Sequence, residues 1–88
     1  DARSDLYSLG IVFYELLTGK KPFVGDTPFA TLRKHCTEPP TPPSVVSPNT
    51  PRELEAIILK LLRKEPDQRY PGAEELLIEL RDYLNQAA

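Results

Sequence analysis

Nine of the twelve residues from Leu6 to Leu17 are apolar or aromatic: Leu6, Tyr7, Leu9, Ile11, Val12, Phe13, Tyr14, Leu16 and Leu17. At 3.6 residues per turn they cover nearly every face of a helix, the pattern of a rod enclosed on all sides rather than one lying on a surface. A chain of 88 residues has few other elements with which to surround such a rod. It buries only about 60–65% of the surface that its unfolded form exposes. The run therefore reads as a piece of a larger body, a partial domain over residues 1–88.

Ser4 and Asp5 carry N-cap chemistry before this helix. Gly19 and then Pro22 stop it, since glycine takes the left-handed position after a helix and proline cannot continue one. Gly10, in mid-helix, costs about 1 kcal/mol against alanine, which implies a close approach by a neighbour. A second helix is expected over 28–36, with Thr27 as cap and Pro28 at the first position. Phe29, Leu32 and Cys36 share one side of it, and Arg33 and Lys34 face water. Six prolines between 39 and 51 (Pro39, Pro40, Pro42, Pro43, Pro48, Pro51) predict an extended connector. Thr50-Pro51-Arg52-Glu53 reads as a capping box, followed by Leu54, Ile57, Ile58, Leu61 and Leu62 at helical period, a third helix over 51–64. A fourth, over 72–85, sets Ala73, Leu76, Leu77, Leu80 and Leu84 against Glu74, Glu75, Glu79, Arg81 and Asp82. No segment has strand period and there is no internal repeat. The expectation is an all-α fold of about four helices, over 6–18, 28–36, 51–64 and 72–85.

Charge and composition exclude several classes of function. Eleven basic residues against thirteen acidic give net −2, with no basic stripe for nucleic acid or an anionic membrane. The single cysteine rules out a disulfide framework; Cys36 is expected as a small, partly buried residue on a helix. His35, the one histidine, has no partner at metal-ligand spacing and reads as a surface residue. No run of about 18 apolar residues is present, so the chain carries no membrane segment. Its first residues lack the pattern of a signal peptide, and the expected location is cytoplasmic.

Three stretches, in order, carry a family resemblance: Asp5-Leu6-Tyr7-Ser8-Leu9-Gly10 running through Tyr14-Glu15-Leu16-Leu17-Thr18-Gly19 to Pro22-Phe23; Gly25-Asp26-Thr27-Pro28; and Lys64-Glu65-Pro66-Asp67-Gln68-Arg69-Tyr70. They resemble the C-terminal part of the large lobe of eukaryotic-like serine/threonine protein kinases, from the central buried helix to the last helix. Asp1-Ala2-Arg3-Ser4-Asp5 gives the match a bacterial flavour. The resemblance covers the whole chain and accounts for its first helix, which in a complete kinase is packed on every side.

The resemblance implies roles for particular residues. The Asp5 carboxylate, besides capping a helix, would accept backbone N–H bonds from the catalytic loop of the parent. Arg69, by itself a solvated charge in a turn, would pair in a bidentate way with the glutamate ending the activation segment. Were Arg69 buried without that partner, the unmatched charge would cost several kcal/mol. Glu15 is either an exposed helix charge or a contact to a basic side chain of a peptide substrate. Residues 25 to 36 would form docking surface, with Phe29 and Arg33 as candidates. The expected partners are the rest of the kinase domain and protein substrates or regulators.

Nothing in the chain handles nucleotide. Phosphoryl transfer by kinases needs a glycine-rich loop, a strand lysine and its glutamate, a catalytic aspartate, and metal-holding asparagine and aspartate. The four glycines form no G-x-G-x-x-G, and Asp-Phe-Gly is missing. ATP and Mg would be bound by the parent, not by this chain, and no catalytic, cofactor-binding or metal residue is assigned here. Arg81-Asp82-Tyr83-Leu84-Asn85 lies in an amphipathic helix with the wrong spacing for a catalytic loop. The PxxP spacings Pro39–Pro42 and Pro40–Pro43 lack closely flanking basic residues and read as connector rather than as an SH3-type ligand. Two readings stand: a fragment of a kinase that phosphorylates protein serine or threonine, with a cytoplasmic kinase domain that its family sometimes anchors to a membrane; or a non-catalytic helical interaction module or pseudokinase remnant.

Overall fold

The structure is a computed structural model and describes residues 2–87. The chain forms α1 (Ala2–Thr18), α2 (Pro28–Thr37), a single-turn α3 (Pro43–Val46), α4 (Arg52–Leu61), a 3₁₀ turn (Pro66–Gln68) and α5 (Ala73–Ala87). The described residues contain no strand, so the fold is all-α, as the helical periodicity implied.

Helix α1 begins four residues earlier than its apolar run. Ser4 and Asp5 consequently lie inside its first turns instead of capping it, and the position before Ala2 falls outside the described residues. Ala2-Arg3-Ser4-Asp5 contains no helix breaker, and the Ser8 hydroxyl donates to the Ser4 carbonyl at 3.2 Å. The far end follows expectation: Gly19 takes φ +74° and its N–H reaches the Glu15 carbonyl at 2.8 Å.

The proline-rich connector is not wholly extended. Pro43 stands at the first position of α3, where its missing donor is no loss. The next donor, the Ser44 N–H, is taken by the Glu55 carboxylate of α4 at 2.7 Å. That hydrogen bond holds the Glu55 carboxyl below its ordinary range. The capping box is also absent. Pro51 is the residue before α4 and no side chain caps it. The Thr50 hydroxyl donates instead to the Ser47 carbonyl at 2.8 Å, closing the turn that leads into the helix. At its other end α4 stops at Leu61, short of residue 64. The carbonyls of Arg63 and Lys64 have left the helical direction to receive the Arg69 guanidinium.

The core lies where α1 crosses α4. Leu6, Ile57, Leu61, Tyr70 and Leu76 form one buried cluster, and Tyr14, Ile58 and Leu62 a second. Phe13 packs against both. Gly10 sits at the crossing: a β-carbon there would stand 2.8 Å from the Leu61 Cβ and 3.1 Å from a Leu62 methyl. The close approach implied by a glycine in mid-helix is therefore real. Tyr14, 1% exposed, meets the need of its hydroxyl by donating to the Thr41 carbonyl at 2.6 Å.

The other side of α1 has no cover. The Cα framework measures 42 × 31 × 16 Å. Two helices packed at 8–10 Å, each about 4.6 Å across its Cα cylinder, already fill about 14 Å of that thickness. A slab two helices deep can cover one face of α1. Val12 is 50% exposed and Leu16 76%.

Candidate functional site

Arg69 is the most connected side chain outside the core. It follows the 3₁₀ turn in extended backbone, which points its side chain back toward the start of α1. Its Nε donates to the Arg63 carbonyl at 2.7 Å, Nη2 to the Lys64 carbonyl at 3.1 Å, and Nη1 to the Arg3 carbonyl at 3.1 Å. The guanidinium lies 4.7 Å from the centre of the Tyr7 ring. Three of its five N–H groups are thus used on main-chain oxygens, joining the end of α4 to the first turn of α1. The expectation of an unmatched charge is met differently: carbonyls and an aromatic face solvate the cation. Arg3 adds an exposed ion pair to Asp67 at 3.5 Å, which at a surface contributes little.

Beside this clamp lies a second cluster. Tyr7 Oη hydrogen-bonds His35 Nδ1 at 2.8 Å, across 28 residues of sequence. The His35 ring stands 4.7 Å from that of Phe23, which is buried. Lys64 Nζ sits 4.0 Å from the centre of the same Phe23 ring and donates to the Lys34 carbonyl at 3.4 Å. Burial, and then the neighbouring Lys64 cation, lower the His35 pKa from 6.5. Burial likewise lowers the pKa of Lys64 and raises that of Tyr7. His35 is therefore a half-buried contact and not the surface residue expected from its isolation in sequence. Its neighbour Cys36 departs from expectation in the opposite sense and is exposed.

The remaining candidates lie apart from this centre. Asp5 is exposed on the first turns of α1, and among the described residues it makes no hydrogen bond or ion pair with Arg69. Glu15 is exposed on α1. Phe29 is 69% exposed and Arg33 is exposed on α2, a helix with no buried residue. Val24 and Leu32 are bare on the same part of the molecule, so the apolar side of α2 faces outward. Two of the surface grooves are largely apolar in their lining. One, of about 230 Å³, is lined by Phe13, Leu16, Leu17, Leu54, Ile58 and Leu80. The other, of about 470 Å³, runs between the prolines at 39, 40 and 42 and residues 59–68. Among the described residues no group of three His, Cys, Asp or Glu side chains could hold a metal, and no helix is long and apolar enough to cross a membrane.

Sequence reasoning found Arg69 but missed its surroundings. The signal for Tyr7 and Tyr14 was present, because a phenol inside an all-apolar helix requires an acceptor. No local pattern pointed to His35 or Lys64, whose partners lie about 30 residues away in sequence.

No family model matches the chain. Full sequences do. A probable serine/threonine-protein kinase of Streptomyces coelicolor is 49% identical over 85 residues, 97% of this chain and 13% of that protein. Serine/threonine-protein kinase PknB of Mycolicibacterium smegmatis is 51% identical over 80 residues, 91% of this chain and 13% of its own length. A probable PknB of Corynebacterium glutamicum is 44% identical over 84 residues. The chain spans about an eighth of the length of these relatives. Its three resembling stretches, its helices and this identity along almost its whole length agree: the chain is a homologue of the bacterial serine/threonine protein kinases, matching a helical segment of their C-terminal lobe.

Proposed function

We propose that this chain is the scaffold and partner surface of a kinase whose complete form transfers the γ-phosphate of ATP to serine or threonine of proteins. The observation that carries the reading is the bare face of α1: Val12 and Leu16 stand in solvent, in a chain whose relatives are about eight times longer. Under this reading the Asp5 carboxylate, exposed on α1, accepts N–H groups of the catalytic loop. The two N–H groups of Arg69 left over from its carbonyl contacts receive the activation-segment glutamate. Exposed Phe29 and Arg33 on α2, with Glu15 on α1, offer surface to protein substrates or regulators. ATP and Mg belong to the remainder of the kinase.

The test is a chimera. The corresponding segment of PknB from Mycolicibacterium smegmatis is replaced by this sequence, and phosphate transfer to a protein substrate is assayed. Retained activity that falls at least tenfold with Asp5→Ala or Arg69→Ala supports the reading. A folded chimera indifferent to both changes overturns their roles. For the 88-residue chain alone, calorimetry is expected to show no Mg·ATP affinity; saturable micromolar binding would refute the assignment of nucleotide to the rest of the parent. The rival, a non-catalytic helical module, predicts a folded but inactive chimera.

A further inference from the structure

Helix α2 buries no residue of its own, yet it is held at a fixed place. Its ties divide into two kinds. The Lys34 ammonium donates to the Val24 carbonyl at 2.8 Å and the Gly25 N–H donates to the Thr31 hydroxyl at 2.8 Å; both join α2 only to the loop just before it. The ties to the body are few. His35 reaches Tyr7 of α1, His35 packs on buried Phe23, and Lys64 reaches the carbonyl of Lys34. Among the described residues, one imidazole thus makes both the hydrogen bond of α2 to α1 and its ring contact with buried Phe23.

The surroundings of that imidazole are cationic. Lys64 and Arg69, both from the stretch after α4, face it and its partner Tyr7. The other titratable groups near it are Tyr7 itself and, on its own helix, Lys34 and Cys36. The carboxylate of this corner, Glu38, acts on Lys64 rather than on His35. We propose that His35 is a proton-sensitive latch: as a neutral ring it seats α2 on Tyr7 and Phe23, and on protonation it releases the helix from the body.

The physical reason is twofold. A third positive charge placed beside Lys64 and Arg69 is repelled, and a half-buried imidazolium loses hydration that the released helix restores. The lowered His35 pKa agrees, its cause being burial first and Lys64 second. Since the released state binds the extra proton, docking is complete above the ordinary histidine pKa of 6.5 and weakens as pH falls below it. Each unit of difference between docked and released pKa changes the docking equilibrium about tenfold. The latch belongs to this chain and does not depend on what the proposed parent phosphorylates.

Two measurements on the chain of this sequence test it. The first is the NMR titration of the His35 ring, which is expected below 6.5; a midpoint at or above that value overturns the proposal. The second is amide exchange between pH 7.5 and 5.5, corrected for the intrinsic rate. Protection of residues 31–37 is expected to fall about fivefold over this range for one unit of pKa lowering and about tenfold at most for more, while amides of α4 keep theirs. In His35→Gln, which cannot take the proton, the protection of α2 is expected to be independent of pH. Equal pH dependence in α2 and α4, or an unchanged profile in His35→Gln, overturns the latch. Should that variant not fold, the amide exchange of α2 against α4 in the unaltered chain decides.

Discussion

A β-carbon at position 10 would meet the Cβ of Leu61, an atom fixed to the backbone of α4 and unable to swing away. Gly10→Ala therefore forces α1 and α4 apart. Overpacking of about 1–3 kcal/mol opposes a helix-propensity gain of about 1 kcal/mol, so a net loss on the order of 1 kcal/mol is expected in the urea midpoint with the slope unchanged. Gly72, whose added β-carbon would meet only a Glu75 oxygen at 3.6 Å, provides the contrasting site. Alanine there is expected to shift the midpoint far less. Arg69 allows a second residue-scale prediction. Lysine keeps the charge but cannot donate in three directions to the carbonyls of Arg3, Arg63 and Lys64. Arg69→Lys is expected to cost about 1–3 kcal/mol in thermal unfolding; an unchanged melting temperature would show that these bonds are replaced by water without loss.

At the scale of elements, α3 exists because a side chain from elsewhere completes it. Four residues beginning on a proline do not sustain a helix alone, and the Glu55 carboxylate supplies the acceptor that its own sequence lacks. The folded Glu55 pKa is lowered from 4.5, so the stability from this tie is full above that pH and is lost as pH falls through the folded value. Glu55→Gln is expected to flatten that part of the acid limb of a pH–stability curve. The effect is expected to be below about 1 kcal/mol, since water screens the carboxylate. A limb of unchanged steepness would assign the acid sensitivity to other groups. Such cross-chain completion marks where the sequence was illegible. Helices α2, α4 and α5 followed from period, proline and glycine, all local signals. The helical turn at 43–46 depends on a carboxylate eleven residues away, the early end of α4 on a guanidinium five and six residues on, and the missing cap at Thr50 on a competing carbonyl three residues back, none of which a helical period selects.

The whole molecule is a slab, and its thickness decides its behaviour. Val12, Leu16, Leu77, Ile78 and Leu84 are each at least half exposed, and the groove between Phe13, Leu54 and Leu80 is open and apolar. Patches of this kind promote association. The 88-residue chain is expected to self-associate and to bind a dye for apolar surface, and Val12→Lys with Leu16→Lys is expected to reduce both. Sedimentation as a monomer at all concentrations, with no dye binding, would contradict the partial-body reading of α1.

From the sequence alone came the helical class, the kinase resemblance, the glycine at a helix crossing, and a first helix too apolar for so small a chain. Each of these is written in neighbouring residues or in their period, where backbone sterics and the burial of apolar surface act directly. The carbonyl cage of Arg69, the seat of His35 and the turn completed by Glu55 were decided only by the tertiary fold. They join groups from 5 to 66 residues apart, and no local rule selects which carbonyl a guanidinium reaches. That choice falls to the packing of α1 on α4, which sets how near these groups can come.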